Sequence, residues 1–256
     1  YKAADGLRDY DDNFARFAFF CRAVLEAIRL LDFWPDVLHL NDWQTGLAAV
    51  YLREAYSHYT TPQCERYERI KTLFTIHNIA YQGVFWHWDM QAAGLNWRLF
   101  NPRQLEFHGH LNCLKAGIVF SDLINTVSPM YAKEILTPYF GCGLQGVLSE
   151  RRDRLSGIVN GCDYAVWDPA RDPHLPASYD ADHLTPGKPA CKEALQRRLG
   201  LAAEPAAPLL GVVARLVEQK GIELILKAAP ALLQQGAQLV VLGQGDPAYH
   251  KQLREL

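Results

Sequence analysis

The run Leu209-Leu210-Gly211-Val212-Val213-Ala214-Arg215-Leu216-Val217-Glu218-Gln219-Lys220-Gly221 decides the fold. Its apolar first half, rich in Val and Leu, reads as a buried strand that ends on Arg215. Lys220 and Gly221 then precede Ile222-Glu223-Leu224-Ile225-Leu226-Lys227-Ala228-Ala229, whose amphipathic spacing predicts a helix. A guanidinium and an ammonium therefore share one strand-to-helix turn at the carboxyl edge of a sheet, where open α/β folds bind ligands. The amino terminus of the helix adds partial positive charge. A guanidinium grips phosphate oxygens bidentately and an ammonium adds a mobile point charge. Such a turn suits a doubly charged leaving group such as a diphosphate. An Arg and a Lys solvated in an ordinary loop give the same local pattern, and the other strand ends decide between the two.

Upstream the alternation of strand, polar end and helix recurs, which predicts parallel sheets covered by helices. Helical spacing runs from Asn13 to Leu31 (Phe14, Phe17, Ala18, Cys21, Val24, Leu25, Ile28). After Pro35 the short strand Asp36–Leu40 ends on Asn41-Asp42-Trp43, and helix returns over Thr45–Tyr56. Lys71–Ile76 ends on His77-Asn78; Asp122–Val127 ends on Ser128-Pro129, with helix over Met130–Leu136. Leu155–Val159 ends on Asn160-Gly161. The segment 169–189, rich in Pro, Asp and His, reads as surface loop before a short helix, Lys192–Leu199. Ala202-Ala203-Glu204-Pro205-Ala206-Ala207-Pro208 reads as an interdomain linker. A last strand, Gln238–Leu242, ends on Gly243-Gln244-Gly245-Asp246. The expected domains are residues 1–204 and 205–256.

With 256 residues, 49% of them hydrophobic, the chain can bury a sizeable core in one large or two smaller domains. A formal charge of -2 argues against nucleic acid or an anionic membrane as partner. No apolar run reaches the length of a membrane span and no signal peptide is visible, so the expected location is cytoplasmic. Six cysteines (Cys21, Cys64, Cys113, Cys142, Cys162, Cys191) form no CxxC pair and no zinc-spaced cluster, and read as buried thiols of a reducing compartment. No metal site is expected, because the acidic pairs Asp9/Asp11 and Asp180/Asp182 sit in polar, turn-rich sequence. The chain opens in polar sequence on Tyr1 without a first strand and stops within a helical pattern, so the reading expects a fragment.

Asp42, His77 with Asn78, Ser128, Asn160, and Arg215 with Lys220 each follow an apolar run, and side chains at such ends converge on one crevice. Each has a plainer explanation: Asp42 as a helix cap, His77 bonded to backbone in a turn, Asn160-Gly161 as a turn. Gly243-Gln244-Gly245 lacks the third glycine of a dinucleotide fingerprint, which disfavours an NAD-dependent oxidoreductase. Phe85-Trp86-His87-Trp88, with Trp97 and Phe100, is a dense aromatic patch that reads as core packing. A polysaccharide groove is its alternative reading.

Val37-Leu38-His39-Leu40-Asn41-Asp42-Trp43-Gln44-Thr45-Gly46-Leu47 and Phe74-Thr75-Ile76-His77-Asn78-Ile79-Ala80-Tyr81-Gln82-Gly83 resemble the bacterial glycogen synthase and plant starch synthase family. So do Lys115-Ala116-Gly117, Asn125-Thr126-Val127-Ser128-Pro129, Gly157-Ile158-Val159-Asn160-Gly161-Cys162-Asp163 and the Arg215–Gly221 turn, in the family's order across nearly the whole chain. The resemblance implies a GT-B architecture: two Rossmann-like α/β domains with parallel sheets and the active site in the cleft between them. Residues 1–204 would be the later part of the acceptor-side domain and 205–256 the start of the nucleotide-binding domain. It implies transfer of glucose from ADP-glucose to the non-reducing end of an α-1,4-glucan, with retention and without metal or cofactor. A plastid replaces the cytoplasm if the source is a plant or alga.

By the same resemblance Arg215 and Lys220 hold the donor diphosphate, His77 lies beside the donor glucose, and Asp42 and Asn160 line the sugar pocket. Asn78 and Tyr81 belong to the same substrate-binding loop. Asn41 and Gln44 stand where family members often carry His, and Cys162 where they carry Val. The family's Lys-x-Gly-Gly-Leu loop is expected before Tyr1 and its Glu-Pro-Cys-Gly-Leu stretch after Leu256. A truncated, inactive fragment is therefore expected, the alternative being a non-catalytic module that binds nucleotide sugar or glucan.

Overall fold

A computed structural model describes residues 9–57 and 63–256, which divide into two compact units, Tyr1–Gly161 and Cys162–Leu256. The expected polar opening without a first strand falls on residues 1–8, outside the described residues. The first unit runs α1 (Asn13–Leu30), β1 (Val37–Asn41), α2 (Asp42–Tyr51, continued by a π-helical turn Leu52–Tyr56), α3 (Cys64–Arg69) and β2 (Lys71–Ile76). It continues with β3 (Val84–Trp86), α4 (Asp89–Ala92), β4 (Glu106–Phe107), β5 (His110–Asn112) and α5 (Cys113–Phe120). β6 (Leu123–Thr126), α6 (Pro129–Glu134), α7 (Gln145–Glu150) and β7 (Leu155–Gly157) complete it. The second unit holds α8 (Gly187–Arg198), β8 (Leu209–Val213), α9 (Ile222–Gln234), β9 (Gln238–Leu242) and α10 (Pro247–Arg254).

The apolar runs of the first unit form a four-stranded parallel sheet in the order β1-β2-β6-β7, with Asn41 opposite Thr75 and Thr126 opposite both Ile76 and Gly157. All four carboxyl ends therefore lie along one edge. Asp122, just before β6, locks the other edge. Its Oδ2 accepts from Thr72 N at 2.7 Å, Thr72 Oγ1 at 2.9 Å and an Arg53 guanidinium nitrogen at 2.5 Å. Partial burial works against the charged carboxyl, but these donors outweigh it and hold Asp122 below the usual carboxylate range.

Small residues let α2 and α5 meet at backbone distance and let α5 pack directly on a ring of the sheet. A Cβ on Gly46 of α2 would stand 1.9 Å from the Cys113 carbonyl oxygen, and one on Gly117 of α5 would stand 2.3 Å from the Phe74 ring of β2. Lys115, between them in sequence, is buried, which pushes its ammonium below the usual range. It donates to the carbonyls of Pro102 (2.5 Å) and Glu106 (2.6 Å), fastening the loop before β4 to α5. The Lys115-Ala116-Gly117 motif is thus an anchor followed by a contact that only glycine permits.

Several elements differ from expectation. β3, β5 and β4 form a small antiparallel sheet that sequence periodicity does not reveal, since its strands have two or three residues. α8 begins at Gly187 rather than 192, because Pro189 fits the first turn of a helix, where its missing N–H costs nothing. The run 202–208, expected as an interdomain linker, is tied down inside the second unit. Lys192 Nζ donates to the carbonyls of Pro205 and Ala207, Gln196 Nε2 to that of Glu204, and Gln238 Nε2 to that of Ala202. The cysteines are not all buried: Cys21 and Cys113 are, whereas Cys142 and Cys162 are exposed. Burial pushes the Cys21 thiol up to about 12. Among the described residues no helix is long and apolar enough to cross a membrane.

Gly46→Ala is expected to destabilise the first unit by about 1–3 kcal/mol, because a methyl group must displace the Cys113 backbone. Denaturant unfolding of the variant checks this; a midpoint equal to that of the parent would refute the close α2–α5 approach.

Candidate active site

Asp42 is the first residue of α2 and adopts φ +56°, a left-handed conformation that non-glycine residues rarely hold. Its side chain does not cap the helix. The Thr45 hydroxyl takes that part, accepting from Asn41 N at 2.7 Å and donating to Asn41 O at 2.9 Å. Asp42 Oδ1 is left to accept from the backbone N–H of His77 at 2.8 Å, joining the ends of β1 and β2. His77 Nε2 lies 2.9 Å from Asn41 Oδ1, so with the amide oriented this way the ring carries its proton on Nε2. The capping alternative for Asp42 is thereby overturned.

The loop beyond His77 is held at every step. Asn78 Oδ1 accepts from Ala80 N at 3.0 Å within the loop, and Ile79 N donates to the Tyr131 hydroxyl at 2.9 Å. Burial keeps the Tyr131 phenol above its usual range, so it remains protonated. Gln82 donates to Cys142 O (2.9 Å) and accepts from Asn112 Nδ2 (2.7 Å). Gly83 has φ +59°, and a Cβ there would meet the Trp43 ring at 2.3 Å. Tyr81 is left partly exposed. The roles of Tyr131, Gln82 and Asn112 do not show in the sequence because they depend on contacts between residues 30 to 60 positions apart.

Asn160, just past β7, is exposed at the same sheet edge and has no hydrogen-bond partner among the described residues. Ser128 is a helix cap instead: its Oγ accepts from Met130 N and Tyr131 N. The structure therefore brings Asp42, His77, Asn78 and Asn160 to one edge of one parallel sheet, with Tyr81 in the loop that leaves it.

In the second unit Arg215 follows β8 and Lys220 closes a 3-10 turn, Glu218–Lys220. Gly221 at φ +69° turns the chain into α9. Both cations are exposed and form no ion pair among the described residues. Gly243 and Gly245 are packing residues: a Cβ on either would stand 2.0 Å from Ala214 O or 2.2 Å from Leu216 O. Leu216 N donates to Gln244 O and Asp246 N to Leu216 O, both at 2.9 Å, so the loops after β8 and β9 are zipped together.

A polar strand-end site on a parallel α/β sheet, and a basic strand-to-helix turn in a second α/β unit, fit the Rossmann-like units of the GT-B class. The comparisons with known proteins agree. Residues 1–150 match the starch synthase catalytic domain family, and the chain belongs to that family. A glycogen synthase of Anaeromyxobacter dehalogenans is 49% identical over 96% of this chain and 50% of its own length. Glycogen synthase 2 of Geobacter sulfurreducens is 47% identical over 96% and 49%. Among solved structures, the catalytic domain of starch synthase IV from Arabidopsis thaliana, bound to ADP and acarbose, aligns with TM-score 0.88 at 35% identity, over 98% of this chain and 51% of that one. The chain spans about half the length of the curated relatives it matches.

Tyr131→Phe is expected to speed amide hydrogen exchange at Ile79 by about fivefold to tenfold, the worth of one lost hydrogen bond, and to leave His77 unchanged. Asp42→Ala is expected to do the reverse. Equal exchange rates in parent and variants would refute the anchoring of this loop.

Proposed function

We propose that these residues serve a retaining glucosyl transfer from ADP-glucose to the non-reducing end of an α-1,4-glucan. The observation that carries the reading is the pair of cations without an ion-pair partner among the described residues, Arg215 just after β8 and Lys220 just before α9, in a chain of the starch synthase catalytic domain family. As a glycosidic bond to a diphosphate breaks, negative charge grows on the departing oxygens, and fixed cations beside them lower the barrier. The helix amino terminus adds to the same field. ADP and acarbose bound to the Arabidopsis enzyme support a nucleotide donor and a glucan-like acceptor.

In this reading the first unit provides the sugar side of the reaction and the second the nucleotide side. His77 presents its imidazole to the donor glucose, near the 6-hydroxyl and the anomeric carbon. Asp42 fixes the His77 backbone through Oδ1 and lines the sugar pocket, and Asn160, Asn78 and Tyr81 offer hydrogen bonds to sugar hydroxyls. The reaction needs no separate cofactor, since ADP-glucose is itself the donor and the two cations supply charge at the diphosphate.

In the full-length protein, Arg215→Ala and Lys220→Ala are each expected to lower kcat by on the order of a hundredfold or more, with a smaller effect on donor binding. Near-normal turnover with only a raised KM would contradict the assignment. The 256 residues by themselves are expected to give no glucosyl transfer. Their second unit holds a two-stranded sheet with Val213 81% and Leu242 66% exposed, whereas a working Rossmann unit buries its strands. ADP release measured with ADP-glucose and glycogen tests this, and sustained glycogen-dependent release that is lost in Lys220→Ala would show it wrong.

A further inference from the structure

The aromatic patch that sequence assigns to the core is divided by the structure. Phe85, in the middle of β3, packs inward, with ring centroids 5.1 Å from Phe14 and 5.5 Å from Trp43. Strand alternation turns its neighbour outward: Trp86 is 61% exposed, and beyond the strand Trp88 is 48% and Trp97 40% exposed. The exposed rings form a continuous series. Trp86 and Trp88 lie 6.3 Å apart with planes at 63°, and Trp88 and Trp97 lie 5.4 Å apart at 77°. Phe100 closes the row 5.8 Å from Trp97 and 6.0 Å from His87.

This row is built rather than loose. β3 pairs with β5 through Trp86 opposite His110, and His87 Nδ1 lies 3.2 Å from Gly109 O. Asn96 caps the turn that carries Trp97, accepting from Arg98 N at 2.9 Å. The next loop is held by the buried Lys115 ammonium through Pro102 and Glu106. Solvent-exposed indoles on a fixed backbone expose costly apolar area without an evident packing purpose.

Charge narrows what could cover them. Between Val84 and Phe100 the charged residues are Asp89 and Arg98. The Arg98 guanidinium is paired with Glu54, and partial burial of Asp89 raises its carboxyl above the usual range. No cation of this segment is left to select a phosphate or an acidic peptide. The indole N–H groups of Trp86, Trp88 and Trp97 have no hydrogen-bond partner among the described residues. A matching ligand is uncharged, offers C–H faces to the rings and carries oxygens for the N–H groups, which describes a chain of pyranose sugars. The rings are steeply tilted to one another, which fits a chain that curves, as α-1,4 linkage dictates. A flat β-1,4-linked ribbon needs coplanar platforms.

We propose that Trp86, Trp88 and Trp97 form a binding site for an α-1,4-glucan chain, additional to the strand-end site that carries His77. The choice of glucan rests on the proposed function; the site itself rests on the exposed indoles. It would keep a polymeric acceptor attached to the protein while chain ends come and go at the strand-end site.

The test is a nucleotide-free titration of the full-length protein with maltoheptaose, together with its retardation in native gels containing glycogen. The double variant Trp86→Ala/Trp88→Ala is expected to lose about tenfold or more in affinity, while Trp86→Phe keeps most of it. Both substitutions lie on the surface, and unchanged thermal unfolding would show the fold intact. Cellohexaose is expected not to bind. Undiminished maltoheptaose binding by the double variant, or equal binding of cellohexaose, overturns the proposal. Because no ADP-glucose is present, the outcome is independent of the transfer assay. Loss of transfer in Arg215→Ala with binding retained supports both readings, and an intact protein that binds glucan but never releases ADP overturns only the proposed function.

Discussion

The bond from the His77 amide to the Asp42 carboxylate is the constraint on which the candidate site depends. Parallel strands share ladder hydrogen bonds only along their length, so the loops leaving them need other partners for their backbone groups. Here the partner is a side chain from the neighbouring strand end, freed for the purpose because Thr45 satisfies the start of α2. The left-handed backbone at Asp42 costs about 1–2 kcal/mol for an L-residue, and it persists because the residues on either side are over-determined. Asn41 is held by Thr45 through its backbone and lies beside His77 through its side chain. Trp43 is buried and supports Gly83 at the far end of the loop. One short run of sequence thus fixes both ends of the His77–Gly83 loop.

Strand positions and the polar residues that follow them were legible because short runs rich in Val, Leu and Ile end abruptly on polar residues. That signal located β1, β2, β6, β7, β8 and β9 to within a residue or two, and with them the edge carrying Asp42, His77 and Asn160. It failed where the determining contact is distant or the element is very short. Nothing local to Trp86 says that it faces away from Phe14 and Trp43 while Phe85 faces toward them; that follows from pairing with β5, more than twenty residues on. The run 202–208 has the Pro and Ala content of a linker, yet Lys192, Gln196 and Gln238 bind its carbonyls from outside. Composition reports local stiffness and not who provides the hydrogen bonds.

The two units hold their candidate site residues by different means. At the first sheet edge, side chains are fixed by a mostly neutral hydrogen-bond network, and the groups left over are polar and exposed. The second unit forms no ion pair through its Arg215 and Lys220 side chains among the described residues. Its precision comes from the backbone: Ala214 N donates to Leu242 O at 3.1 Å, and Leu216 both accepts from and donates to the loop after β9. Arg215 therefore sits between two tied residues. Gly243 and Gly245 make this possible, since any side chain there would collide with the carbonyls of Ala214 or Leu216.

Under the proposed function, that difference follows from what each group would do. A cation pinned by an acidic neighbour is fixed in place, but its field is already neutralised. A cation meant to meet charge that develops during a reaction must stay unpaired, so its position has to come from the main chain. The zipped glycine loops give Arg215 that support without a counter-charge, and Gly221 does the same for Lys220 by turning the chain directly into α9. A hydrogen-bonding residue such as His77 is under no such restriction, because a neutral partner orients it without cancelling what it offers. The glycines that look like a broken dinucleotide fingerprint are in this sense part of the same device as the arginine. They set where positive charge stands, and the side chains between them are left free to carry it.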